Sequence, residues 1–242
     1  MRRFALYFVP RPETQLAQDA ALWLGRNENN VSFNQLKIKG ITRQQFHALT
    51  RSPHHYGFHG TLKPPFRLQQ GYTESELFTA IDLYCASRES FSIPSMEVRL
   101  IKDFLCLRPP RPCKEINQLA RDMVIRFDHF RASAGATELK KRKSTVLTPR
   151  QESLLLKWGY PYVMDEFRFH LTLSSTIEDE QEKRVLKQAA ENHFTQSALH
   201  NIAVDGIALF VEQDGAPMTQ QFFFPFSNWN VSAQATPAPP CL

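Results

Sequence analysis

The pattern His-x-Thr-Leu occurs twice, as His59-Gly60-Thr61-Leu62 and as His170-Leu171-Thr172-Leu173, in a chain of 242 residues. The two histidines stand 111 positions apart. At ordinary residue usage such a pattern is expected about 0.05 times in a chain of this length. Two core strands that each happen to carry a histidine are therefore a poor explanation. Histidine is the side chain whose ordinary pKa lies nearest neutrality. A neutral imidazole can take a proton while a protonated one gives a proton. Each motif also sets a hydroxyl two residues beyond the imidazole, and a strand sends residues two apart to the same face.

Alternation extends the pattern. In the first copy Gly57, His59, Thr61 and Lys63 share one face. In the second, Arg168, His170, Thr172 and Ser174 share one face, and Phe167, Phe169, Leu171 and Leu173 form an apolar face opposite. The apolar faces are expected to meet helices, leaving the polar faces to water or to each other. Brought together, two histidines, two threonines, Arg168 and Lys63 suit a phosphate group. Histidines on opposite sides of phosphorus would serve an in-line displacement. Thr61 and Thr172 would hold the non-bridging oxygens, and Arg168 and Lys63 would stabilise the added negative charge. This scheme needs neither a metal nor another cofactor.

The elements that must position these residues read as an order repeated twice: strand, helix, loop, motif strand, helix, two strands. The first half has a strand at 3–9, a helix at 13–24 and a short helix at 42–49 behind a T-x-x-Q capping box at Thr42. The first motif strand ends at Pro64-Pro65, and a helix follows at 73–87 behind a second capping box at Thr73. Strands at 91–93 and 96–107 close this half. The second half has a helix at 112–131 and a third capping box at Thr148 with Pro149 at the first helical position. The motif strand at 167–174, a charged helix at 178–193 and strands at 202–212 and 220–226 complete it. The order predicts an α+β fold of two pseudo-symmetric lobes, each an antiparallel sheet backed by helices, around a central cleft. Residues 1–226 form this one bilobal domain, and 227–242 form a flexible Pro/Ala-rich tail.

The formal net charge of +5 leans mildly toward anionic partners. Four cysteines show neither a C-x-x-C pair nor metal-finger spacing, which fits free thiols in a reducing compartment. The apolar run near the N-terminus is too short for a signal-peptide core or a membrane span, so a cytoplasmic protein is expected. His55 and His59 would pair for a metal only on a helix, and Pro53, Gly57 and Gly60 argue against one, so His54 and His55 are read as loop positions. The basic run 140–143 is read first as a solvated loop and alternatively as a guide for a phosphorylated substrate or nucleic acid. Tyr160 and Tyr162 are read as core aromatics rather than base-stacking platforms.

Two H-x-T-L motifs, one per half, resemble the 2H phosphoesterase superfamily, which includes LigT-like RNA ligases and cyclic nucleotide phosphodiesterases. The stretches Tyr56–Phe66, Leu147–Glu152 and Trp158–Leu173 are similar to a bacterial branch of it, the DUF1045 family, associated with phosphonate metabolism. The resemblance covers the chain except its tail. It implies a bilobal fold with both motifs lining a cleft, His59 and His170 as catalytic residues, and Thr61 and Thr172 as phosphate ligands. That branch commonly has alanine where this chain has Gly60, at a position expected to face away from the cleft. The activity implied is hydrolysis of a small cyclic phosphate or a 2′,3′-cyclic phosphate. RNA end processing or 2′–5′ ligation, with RNA as the partner, is the alternative enzyme. A non-catalytic nucleotide- or RNA-binding module is the alternative from another class.

Overall fold

Threonines mark the helix starts. Thr42, Thr73 and Thr148 each accept the amide of the residue three further on, and the Gln or Glu there reaches back to the threonine amide. All three capping boxes read from the sequence form. The structure is a computed structural model that describes residues 2–32, 34–135, 146–194 and 196–227. The basic run 140–143 and residues 228–242 of the tail lie outside the described residues.

The elements, in chain order, are β1 (Arg2–Phe8), α1 (Gln15–Leu24), α2 (Arg43–Leu49), α3 (Arg51–Tyr56), β2 (Gly60–Phe66) and α4 (Glu74–Ala86). The hairpin region has β3 (Phe91–Ser95), β4 (Glu97–Ile101) and β5 (Phe104–Arg108). Then come α5 (Lys114–Arg126), α6 (Pro149–Trp158), β6 (Leu171–Thr172), α7 (Glu180–His193), β7 (His200–Val204), β8 (Gly206–Gln213) and β9 (Thr219–Pro225). Seven strands form one sheet in the order β4-β5-β6-β2-β1-β8-β9, and β3 pairs with β7 apart from it. Every pairing is antiparallel. The fold is α+β, and the halves interleave: β8 from the second half lies beside β1, and β5 from the first lies beside β6.

Residues of β1 alternate between the faces of this sheet. Phe4, Leu6 and Phe8 join the main core, with Leu62, Leu105 and Leu171 from the other strands, Leu173 just past β6, and Trp23, Ile81, Met123 and Leu186 from helices. Ala5, Tyr7 and Val9 face the other way, beside Ala208 and Phe210. Most helices thus cover one face of the sheet; Tyr56 at the end of α3 packs on the other, which is otherwise left to the polar residues of the motifs.

The two motif strands lie side by side and join at one residue pair, Gly60↔Leu171. A β-carbon on Gly60 would sit 2.5 Å from the Phe169 ring. That ring is buried and packs edge-on against Phe8. Position 60 does face away from the polar side, as expected, but the joint leaves no room for a methyl group there.

Several elements depart from the sequence expectations, each for a local reason. β2 does not stop at Pro64-Pro65 but runs through both to Phe66. Among the described residues its second edge has no strand partner past Gly60, so the missing proline N–H breaks no ladder bond there. The expected strand 96–107 is a hairpin, turning at Lys102 in the left-handed region without the glycine that usually signals it. The expected strand 202–212 breaks at Asp205, where β7 leaves to pair with β3. His54 and His55 lie not in a loop but in α3, where Pro53 occupies the first turn and its absent N–H is harmless. The second motif strand pairs only at Leu171 and Thr172. Among the described residues no helix is long and apolar enough to cross a membrane.

Replacing Gly60 by alanine is expected to lower unfolding stability by about 1–3 kcal/mol through overpacking against Phe169. Trimming the ring with Phe169→Leu in the same chain should recover part of that loss. Denaturant unfolding of the single and double variants checks both.

Candidate active site

Antiparallel pairing at Gly60↔Leu171 fixes what lies across the joint. Continuing the register one residue each way sets His59 opposite Thr172 and Thr61 opposite His170. Each histidine therefore stands beside the hydroxyl of the other motif. The two histidines are diagonal neighbours, about 7–8 Å apart at the backbone. They feel each other electrostatically, since a charge on His170 disfavours one on His59. Both hydroxyls and both imidazoles are half-buried on the face that the helices leave open.

Each ring is anchored in the same way. His59 Nδ1 lies 2.9 Å from the Gly57 carbonyl, and His170 Nδ1 lies 2.7 Å from the Arg168 carbonyl. A carbonyl only accepts, so Nδ1 carries the hydrogen in both rings and Nε2 is left to react. Gly57 makes the first anchor possible: its φ of 77° is open to glycine and strained for other residues. Arg26 braces that turn. It is buried, and its guanidinium donates to the carbonyls of His54 (2.9 Å) and Met218 (2.8 Å), tying the end of α3 to the strand-bearing side. The second motif is held by Trp23 Nε1 donating to the Leu173 carbonyl (2.9 Å) and by Leu173 N donating to Leu105 (2.8 Å).

Tyr7, opposite Thr61 on β1, stacks on the His59 ring with centroids 3.7 Å apart. Its hydroxyl donates to Met218 Sδ at 3.3 Å, and burial pushes its pKa well up, so it stays a neutral phenol. Burial is also the main influence on His59, lowering its pKa to about 4 against the raising effect of the Gly57 carbonyl; His170 and Arg26 lower it further. His170 is lowered too, by burial first and then by Arg108, against its own carbonyl anchor. Among the described residues no carboxylate figures in the groups acting on either imidazole.

Of the residues singled out by sequence, His59, Thr61, His170 and Thr172 come together. Lys63 does not join them. The register of β1 and β2 slips between Leu6 and Tyr7, which sets Lys63 opposite Leu6 and so toward the helix-covered core. There its ammonium donates to the Val124 carbonyl (3.4 Å) and lies 3.6 Å from Asp128 Oδ1. Burial lowers its pKa to about 8. Arg168 precedes the ladder, so alternation does not govern it. It is exposed, and its Nη1 donates to the Asp165 and Phe167 carbonyls. Tyr7, Arg26 and Arg108 were not singled out. Tyr7 sits in an unbroken apolar run, and reading 96–107 as one strand hid where Arg108 would lie.

A recess of about 710 Å³ between residues 36–39 and α7 contains neither motif histidine. The site is thus defined by chemistry rather than by depth. Among the described residues no group of three or more His, Cys, Asp or Glu is placed to hold a metal ion.

The fold and site define an antiparallel α+β protein with a paired histidine–threonine centre. The chain belongs to the DUF1045 family, described as a protein of unknown function, whose profile matches residues 61–219. It is similar to a protein of Janthinobacterium sp. (strain Marseille) named ribose 1,5-bisphosphate phosphokinase PhnN, 38% identical over 232 residues. That match covers 94% of this chain and 51% of the relative. A protein of the same name from Laribacter hongkongensis (strain HLHK9) is 29% identical over 214 residues, covering 88% of this chain and 48% of the relative. The chain thus spans about half the length of the curated relatives it matches. Among solved structures it is similar to one titled as a phosphoesterase, at 10% identity and a TM-score of 0.40, covering 94% of this chain and 99% of that one. It is also similar to E. coli LigT complexed with NADP+, at 12% identity and a TM-score of 0.37, covering 93% of this chain and 98% of that one.

The depressed histidine pKa values carry a sign. An unfolded chain binds a proton on His59 near pH 6.5, and the folded chain does so only near pH 4. Stability from this group is therefore fully present above pH 6.5 and is lost as pH falls from there to about 4. Unfolding measured across that window should show a slope that His59→Gln flattens. The His59 ring should titrate by NMR near pH 4.

Proposed function

We propose that this chain hydrolyses a small cyclic phosphodiester by two-histidine acid–base catalysis. The observation that carries this reading is the crossed register, with each imidazole beside the other motif's threonine and both Nε2 atoms free to react. His59, the more strongly depressed of the two, is the base. The first proton added to the pair goes to His170, which is the acid.

In the reaction, His59 Nε2 takes a proton from water as the water oxygen bonds to phosphorus. The bond from phosphorus to the leaving oxygen breaks, and His170 Nε2 gives that oxygen its proton. Water is added across one P–O bond, and the cyclic diester becomes a phosphate monoester with a free hydroxyl. The Thr61 and Thr172 hydroxyls donate to the non-bridging oxygens. The Tyr7 ring holds the His59 plane in place.

The relatives' name suggests the substrate. Opening a 1,2-cyclic phosphate of ribose 5-phosphate at O2 leaves ribose 1,5-bisphosphate, the compound named as substrate of those kinases. The kinase activity itself is not carried across. Only half of each relative is covered, and this chain has no G-x-x-x-x-G-K-[S/T] phosphate loop. RNA ending in a 2′,3′-cyclic phosphate is the second reading. It is favoured by half-exposed Tyr56 and Tyr160, both near enough to Tyr7 to influence its ionisation and both able to stack on a base.

Turnover of ribose 1,2-cyclic phosphate 5-phosphate, nucleoside 2′,3′-cyclic phosphates and a cyclic-ended RNA, all in EDTA, tests the reading. His59→Ala and His170→Ala are each expected to lower kcat by about 10²- to 10⁴-fold with folding intact. Near-normal turnover in either folded variant would refute two-histidine catalysis. Ligand binding that survives both substitutions, in a chain that turns nothing over, would make this a binding module.

A further inference from the structure

Hydrolysis at a phosphate needs a positive group beside phosphorus as negative charge builds on its oxygens. Lys63 is occupied by Asp128 in the core, and Arg168 is folded back on the Asp165 and Phe167 carbonyls. A third cation lies on the histidine face. β5 pairs with β6 through Cys106↔Thr172 and Leu107↔Leu171. The next position in that register sets Arg108 opposite His170. Crossing the sheet from there, one row carries Arg108, His170, Thr61 and Tyr7.

Arg108 is half-buried, and among the described residues it forms neither a hydrogen bond nor an ion pair. Its cross-strand neighbour on β4 is Glu97, whose carboxylate is taken by Arg99 at 2.7 Å. Among the described residues, Arg26, Lys63 and Arg168 spend their donors on protein carbonyls or carboxylates. Arg108 is the exception, with five N–H donors in a planar fork that fits two oxygens of one phosphate.

We propose that Arg108 is the catalytic residue that clamps the non-bridging oxygens of the phosphorus under attack. The proposal rests on the hydrolytic reading above and names the group that reading lacked. From its place beside His170, Arg108 meets the phosphate on the leaving-group side. It draws the oxygens toward the Thr61 hydroxyl in the same row. Its charge also weakens the hold of His170 on a proton, which favours donation to the leaving oxygen.

The test compares the wild-type chain with Arg108→Gln and Arg108→Lys, using inorganic phosphate as the binding probe and a nucleoside 2′,3′-cyclic phosphate as the substrate. In Arg108→Gln, phosphate affinity should fall at least tenfold and the NMR titration of His170 should move up, with that of His59 unchanged. Its kcat should fall about 10²- to 10³-fold, as for loss of one oxyanion donor, and Arg108→Lys should recover part of it. Unchanged phosphate affinity and an unchanged His170 titration in Arg108→Gln would overturn the proposal. Should that variant not fold, Arg108→Lys carries the same test, since wild-type affinity with an ammonium in place of the fork also overturns it. The phosphate and titration arms judge Arg108 even where the wild-type chain turns over no cyclic phosphate, so failure of the hydrolytic reading is seen separately.

Discussion

The site depends on one ladder pair, Gly60↔Leu171. Without it the sheet would be two sheets, β4-β5-β6 and β2-β1-β8-β9, each with one histidine and one threonine at its edge. With it, each histidine faces the partner motif's hydroxyl. The close approach needs glycine on one side because the Phe169 ring covers the joint from the core. On the other side β6 is short, so its place is set less by its own pairing than by anchors at its end: Trp23, Leu105 and the bond from Ser175 N to the Leu49 carbonyl. Residues far apart in sequence thus set the distance between two imidazoles.

Both imidazoles are oriented by their own backbone, through the carbonyl two residues earlier, and not by a carboxylate. A carboxylate behind a histidine would raise its pKa and add a negative charge to the site. Here the opposite choice is built in. Burial lowers the pKa of both rings, His59 to about 4, and Arg26 supplies a positive charge whose donors are spent on carbonyls. Burial lowers the Arg26 pKa to about 10, against the raising effect of the Glu28 carboxylate. Structure and electrostatics agree at this point, since the arginine that shapes the turn under His59 adds to the burial that lowers the His59 pKa.

Much of this was legible in the sequence because it is local. Capping boxes at Thr42, Thr73 and Thr148 are signals complete within four residues, and all three mark real helix starts. The H-x-T-L spacing needs only the period of a strand, and it brought together the four residues at the centre. What failed needed information from elsewhere in the chain. Lys63 was assigned a face by alternation, but a slip against β1 turned it into the core. Arg168 was assigned one by the same rule, though the ladder starts three residues later. Arg108 gave no local signal, since its meaning comes from a register with β6, whose pairs with β5 lie 64 and 66 positions apart.

The lack of carboxylates around the histidines has a consequence for how such a site ends its work. A phosphodiester carries one negative charge, and the monoester made from it carries close to two at neutral pH. A diester hydrolase that uses Arg108 as proposed would bind what it makes more tightly than what it takes in. In the proposed hydrolysis such a hold on the monoester would slow product departure unless the monoester is removed as it forms. In the curated relatives a second stretch of about equal length is joined to this one in a single polypeptide. A covalent neighbour that consumes the monoester would turn that tight grip from a brake into a means of handing the product on.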